Sequence, residues 1–252
     1  MTPHDSTFND RLAPPDHNPV DWALSARPVE YDHGVRIMTQ RARCIARREA
    51  PELVWLLEHP PIYTAGTSTK AEDLKNSRRL PVHQTGRGGR VTYHGPGQRV
   101  AYVMLDLKRR GADARAFVHA LEQWLIDTLA ALGVEGETRP GRVGIWVRRP
   151  EMGAEAEDKI AAIGLRVSKW VSLHGVSLNV DPDLAHYNGI VPCGIAEHGV
   201  TSLADLRAPA SIEVVDNALR TSFEDRFGAT RDANDPLSSK VMMSPMSGHL
   251  DP

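Results

Sequence analysis

The sequence predicts an α+β fold in which a mixed or antiparallel sheet carries helices on one side. Three observations predict it: helix-periodic runs are present, short β-prone runs are present, and the two do not alternate in the regular order of a parallel α/β sheet. The first helix is expected over residues 30–48, where Val35, Met38, Ala42 and Ile45 share a face. The second spans 113–132, with Phe117, Leu121, Trp124, Leu125, Thr128, Leu129 and Leu132 at helical spacing. Asp113 caps its start and Gly133 follows its end. The third spans 211–227 on Ile212, Val215, Leu219, Phe223 and Phe227, with Ser211 at the N-cap. Strands are expected at 52–59, 99–106, 143–147, 159–167 and 173–180, each bounded by Gly, Pro or charged residues. Residues 148–158 read as a long hairpin tip.

At 252 residues the chain suits one compact domain, assigned to 20–231, between flexible tails over 1–19 and 232–252 that are rich in Pro, Ser and Asp. No run approaches the ~18 apolar residues of a membrane span. The N-terminus lacks the basic start and apolar stretch of a secretory signal. Two cysteines, Cys44 and Cys193, are too few for a disulfide framework, so both are expected reduced, in the cytoplasm. A net charge of −2 excludes a strong overall pull toward nucleic acid. Arginines 87, 90, 99, 109, 110, 139, 142, 148 and 149 nevertheless crowd one stretch. They form either a solvated surface or a local patch that steers acidic partners.

Three segments could carry chemistry. TGRGGRVTYHGPGQ (85–98) holds five glycines and one proline in fourteen residues. Such a loop can bring backbone close to a ligand, but its spacing fits neither the Rossmann nor the P-loop pattern. In NGIVPCGI (188–195), Cys193 stands between Pro192 and Gly194, residues that deny it a regular helix or central strand. It is a buried small hydrophobe or a nucleophile; Cys44, at helical spacing, is structural. A reactive thiol needs help to ionise from its ordinary pKa near ~8.5. His94, His174 and His198 are candidates by residue type, and Lys159, at the head of KIAAIGL, is another. Spacing alone leaves that choice open. In KIAAIGLRVSKWVSLHGVSLNV (159–180), small residues fall in two neighbouring strands and could leave a groove for an apolar ligand, or could serve close helix packing.

Together the stretches GRGGRVTYHGPGQRVAYVMLDL, KIAAIGLRV, LHGVSLNV, NGIVPCGI and TSL resemble the lipoyl(octanoyl) transferase family of lipoate biosynthesis, over about Pro28 to Phe227. The resemblance implies a mixed sheet flanked by helices, as in the biotin and lipoate protein ligase catalytic fold. It implies that an octanoyl group moves from octanoyl-acyl carrier protein to Cys193. From there it passes to a lysine of an apo lipoyl domain, on a 2-oxoacid dehydrogenase E2 subunit or the glycine-cleavage H protein. It assigns Lys159 as partner of Cys193. It places acyl contacts on Arg87, Gly88, Gly89, Arg90, Val91, Thr92, Tyr93 and His94, on Ala162, Ile163 and Gly164, and on Gly175, Val176 and Ser177. No metal, cofactor, nucleic acid or membrane is expected. The competing readings are an ATP-dependent lipoate or biotin protein ligase and a non-catalytic acyl-binding protein.

Overall fold

The structure is a computed structural model that describes residue 12 and residues 18–75, 80–111, 113–191, 198–208 and 211–238. In chain order its elements are β1 (Val20–Leu24), α1 (Tyr31–Ala46), β2 (Leu53–Leu57), β3 (Ile62–Ala65), β4 (Val82–Gln84), β5 (Thr92–His94), β6 (Gln98–Met104) and α2 (Ala114–Ala131). Then follow β7 (Glu137–Arg139), β8 (Arg142–Arg148), β9 (Glu157–Ser168), β10 (Val171–Asn179), β11 (Gly199–Val200), α3 (Ile212–Phe227) and β12 (Thr230–Asp232). The main sheet runs β12-β1-β2-β6-β10-β9-β8-β7, with β11 added beside β9. The β12–β1, β1–β2 and β11–β9 pairs are parallel and the rest antiparallel. A second, small sheet has the order β4-β3-β5.

The helices lie on both faces of the main sheet rather than one. Period-2 alternation sorts the strand residues. Val54, Leu56, Ala101, Val103, Val176 and Leu178 point into the core formed with Phe117, Leu121, Trp124 and Leu125 of α2 and Val215, Leu219, Phe223 and Phe227 of α3. Leu53, Trp55, Leu57, Val100, Tyr102, Met104 and Leu173 point the other way, against Ile37, Met38, Ala42 and Ile45 of α1. Asp113 caps α2 by accepting from the backbone N–H of Ala116 at 2.7 Å, which satisfies one of the donors a helix start leaves open.

Both expected tails contribute described residues that are packed. Leu12 is buried in the α2–α3 core and its N–H donates to the Arg226 carbonyl at 3.0 Å. Residues 232–238 run beside β1, where Ala233 N–H donates to the Trp22 carbonyl at 2.9 Å and Ser25 Oγ donates to Asp235 at 2.7 Å. The arginine-rich stretch is not one surface. Arg87, Arg99 and Arg110 are buried; Arg99 grips Asp216 on α3 with bonds of 2.7 and 2.9 Å, and Arg110 donates to Glu52 at 3.0 Å. Beyond β9, the two-residue turn into β10 is made by Lys169 (φ 51°) and Trp170 (φ 63°), left-handed positions usually given to Asn and Gly.

Candidate active site

One face of the sheet is left partly open. Beyond the reach of α1, the paired residues are small: Ala162 stands opposite Ser177, and Gly164 opposite Gly175. On the next strand, Ser177 pairs with Val100 and Gly175 with Tyr102. These six share the face that alternation turns away from α2 and α3. They form the floor of a narrow cleft that is partly open to solvent. Its far wall is the glycine-rich loop, tied to the floor where Gly88 N–H donates to the Leu165 carbonyl at 2.8 Å. Arg87 stiffens that loop from inside. Its guanidinium donates to the Thr64 carbonyl (2.7 Å) and hydroxyl (2.8 Å) and to the carbonyls of Gly88 and Arg90 (3.0 Å each). Gly97, at φ 81°, lies where a Cβ would stand 2.1 Å from the Asp181 carbonyl oxygen, so only glycine closes the loop's end.

Three histidines and two tyrosines line or back this cleft. His59 is fully buried. Its Nδ1 lies 2.6 Å from the Val29 carbonyl, which can only accept, so Nδ1 carries the proton. Its Nε2 therefore accepts from the Tyr102 hydroxyl at 2.9 Å. His94 donates from Nδ1 to Gln98 Oε1 at 2.6 Å. His174, held at φ 62°, meets Tyr102 edge-on at 6.0 Å between ring centres. Burial pushes His59 down to about 4 and His94 to about 3, the latter helped by the nearby His59 and Arg87 charges. Burial, then Arg87 and Arg166, take His174 to about 4. All three are neutral at pH 7 and poor general bases there, because so low a pKa gives little proton affinity.

Lys159 occupies a recess that adjoins the cleft and shares Thr92, Ala162 and Ser177 with it. A β-bulge puts it there. Ile145 pairs with Ala161 while the next residue, Trp146, pairs with Lys159, so Ile160 is the extra residue on β9. Ile160 and Ala161 both enter the α2–α3 core, and the alternation resumes one step out of phase. Without the bulge Lys159 would point into that core; with it, the side chain reaches the cleft side. Its Nζ donates to the Val143 carbonyl at 2.7 Å and lies 5.5 Å from the centre of the Trp146 ring. Gly144 makes the room: at φ 117°, a Cβ there would stand 2.5 Å from Lys159 Cε.

The recess continues into a buried amide network. Gln98 Nε2 donates to Asn179 Oδ1 at 2.9 Å, the Tyr187 hydroxyl donates to the same oxygen at 3.1 Å, and Asn179 Nδ2 donates to the Thr201 carbonyl at 2.9 Å. Thr201 N–H in turn donates to the Lys159 carbonyl at 3.0 Å. A continuous set of hydrogen-bonded groups thus links His94 to the Lys159 backbone.

Of the expected contacts, Arg87, Gly89, Arg90, Thr92, His94, Ala162, Ile163, Gly164, Gly175, Val176 and Ser177 line the cleft. Gly88 ties the loop to β9. Val91 and Tyr93 do not line it; they are buried with Tyr63, Tyr187 and Ile190 under the small sheet, where burial raises the Tyr93 phenol to about 12. Cys193 lies outside the described residues. Strand β11, which begins six positions later in the chain, pairs Gly199 with Asp158 and Val200 with Lys159. His198 stands near Trp146 (5.4 Å between rings) and 3.8 Å from Glu157, away from the other histidines. Sequence reasoning missed Tyr31, Val100 and Tyr102 in the cleft, His59 behind it, and Trp146 and the Gln98–Asn179–Tyr187 network around Lys159. The available signal was the alternation in QRVAYVM, which puts Val100 and Tyr102 on one face.

Comparison with known proteins agrees with this geometry. Residues 31–224 match the family model of the lipoyl protein ligase A/B catalytic domain. An octanoyltransferase of Parvibaculum lavamentivorans is 64% identical over 208 residues, covering 82% of this chain and 92% of its own. One of Caulobacter vibrioides is 60% identical over 222 residues, covering 88% and 98%. A bipartite lipoate protein ligase of Thermoplasma acidophilum superposes with a TM-score of 0.63 at 17% identity, over 86% of this chain and 88% of that one, which establishes the shared fold. The chain belongs to the lipoyl protein ligase A/B catalytic-domain family and, within it, to the octanoyltransferases.

Proposed function

We propose that this chain takes an octanoyl group from the phosphopantetheine thioester of acyl carrier protein onto Cys193. From there it delivers the group to the ε-amine of a lysine on an apo lipoyl domain. Residues 20–231 act as the single catalytic domain, in the cytoplasm. The observation that carries this reading is the column of Ala162, Gly164, Gly175 and Ser177, small residues that floor a narrow cleft beside the Lys159 recess. Each methylene that a chain buries against this floor contributes roughly 0.8 kcal/mol, so binding needs no charged anchor. Family membership alongside curated octanoyltransferases supports the acyl group, and the archaeal neighbour, solved in a system with its E2 lipoyl domain, supports the acceptor.

In the first step the Cys193 thiolate attacks the thioester carbonyl, the S–C bond to the pantetheine breaks, and the thiol of the carrier leaves with a proton. In the second, the acceptor amine attacks the Cys193 thioester, an amide forms and Cys193 is released. Thioester to amide runs downhill, so neither step needs ATP. Lys159 supplies the charge or the proton transfer that both steps require. The three cleft histidines are neutral, and His59 and His94 are engaged in hydrogen bonds, so they shape the slot instead.

Intact-mass measurement after mixing the protein with octanoyl-acyl carrier protein, ATP omitted, is the direct test. One octanoyl adduct on the unmodified chain and none on Cys193→Ser is expected. Activity that requires free octanoate and ATP would establish a ligase and overturn the proposal. Undiminished transfer by Cys193→Ser would remove the acyl-enzyme step.

A further inference from the structure

We propose that His174 forms the end wall of the cleft and sets the length of acyl chain the protein accepts; this rests on the acyl transfer proposed above for the cleft's occupant. Strand alternation assigns residue 174 to the side of Val176 and Leu178, which face the α2–α3 core. A left-handed backbone at φ 62° overrules that assignment. The ring stands on the opposite side, edge-on to Tyr102 at 6.0 Å, and lines the cleft with Tyr31, Val100 and Gly175. The His174 N–H turns toward α1 and donates to Met38 Sδ at 2.9 Å. A non-glycine residue in this region is strained, and such strain persists where the surroundings hold it at a ligand site. What the strain achieves here is placement: β10 turns an imidazole out of the core and into the cleft.

Position along the floor gives the ring its role. From the Lys159 recess the floor runs over Ala162 and Ser177, then over Gly164 and Gly175. At residue 174 the small side chains give way to His174 and Tyr102. This wall is backed. The Tyr102 hydroxyl donates to His59, whose ring donates to the Val29 carbonyl and lies 5.1 Å from the Tyr31 ring. Gly34 lets α1 close on the same group, since a Cβ there would already stand 3.4 Å from Tyr102 Cε2 and 3.5 Å from His59 Cε1. Burial holds His174 near a pKa of about 4, so the wall presents a neutral ring to an apolar chain end. A packed wall turns each methylene beyond the floor into overlap, which is how a pocket selects length.

The test is a series of acyl-carrier-protein thioesters from hexanoyl to tetradecanoyl, offered to the full chain with an apo lipoyl domain as acceptor and read by intact mass. Transfer by the unmodified protein should be greatest at octanoyl and fall steeply beyond it. His174→Gly removes the ring and suits φ 62°. It should raise the dodecanoyl-to-octanoyl ratio about 10-fold or more, the discrimination that a single methylene can carry. His174→Asn keeps a residue that tolerates the left-handed region but is smaller, and should raise the ratio by less. That variant decides the matter if the glycine variant does not fold. An unchanged ratio, or equal losses for every donor, would make His174 a packing residue and overturn the inference. If the unmodified chain transfers no acyl group at all, the acyl-transfer reading fails, and this inference with it.

Discussion

On one face of the main sheet, α2 and α3 press Phe117, Trp124, Phe223 and Phe227 onto a bed of Val, Leu and Ile, with ring centres 4.7–6.3 Å apart. On the other, α1 covers β2, β6 and the start of β10, and the remaining floor is Ala162, Gly164, Gly175 and Ser177 under neutral histidines. The first face is filled by bulk and the second is kept empty by its absence. The same strands serve both, so stability and reactivity are separated by a single alternation of side chains. That separation can be attacked from either side.

The largest effect belongs to the filled face. Trp124→Ala should cost about 3–5 kcal/mol, read as a fall in urea midpoint, while the folded fraction transfers octanoyl at an unchanged rate. A matching loss of specific activity would show the faces to be coupled. Next comes acid. The cleft histidines titrate near 6.5 when unfolded but only near 3–4 when folded. Their contribution is complete above pH 6.5 and is lost as pH falls toward 4, because the unfolded chain binds the protons first. Each ring accounts for about 3 to 5 kcal/mol, His94 the most. Urea midpoints measured across that window should slope downward, and less steeply in His174→Asn; equal slopes would contradict the burial argument.

Gly164→Val should fill the slot. Its Cβ would meet Arg87 Cδ at 3.0 Å, and octanoyl transfer should fall about 100-fold while the unfolding midpoint is kept or raised. A short acyl thioester should be affected less, which distinguishes a blocked slot from a broken enzyme. The smallest effect is Tyr102→Phe, which leaves His59 Nε2 without the hydroxyl that donates to it. A loss of about 1 kcal/mol is expected, visible in thermal unfolding.

The filled face was legible in the sequence because bulk leaves a period. All three helices appear within one or two residues of their expected bounds, and β2, β6, β8, β9 and β10 lie within or across the expected runs. β1, β3, β4, β5 and β12 were not legible: they have three to five residues each, and β3 follows Pro60–Pro61 while β5 hides inside the glycine-rich segment. The open face was legible only as a run of small residues, which packing against a helix would explain as well. What decides its chemistry is spread along the chain. His59, His94 and His174 share no spacing, and their neutrality is a product of burial that residue type alone argues against. The bulge at Ile160, which turns Lys159 toward the cleft, leaves no trace except two adjacent apolar residues that both enter the core.

The turn between β9 and β10 has a consequence in light rather than in energy. Of the five tryptophans, Trp22, Trp55, Trp124 and Trp146 are all under a tenth exposed, whereas Trp170, on that left-handed turn, is 54% exposed. The long-wavelength edge of the protein's emission therefore belongs to one indole at the tip of a hairpin. With Trp170 replaced by Phe, only shielded indoles remain. Among these, Trp146 alone faces the Lys159 amine, so its emission becomes an intrinsic signal of what happens at that end of the cleft.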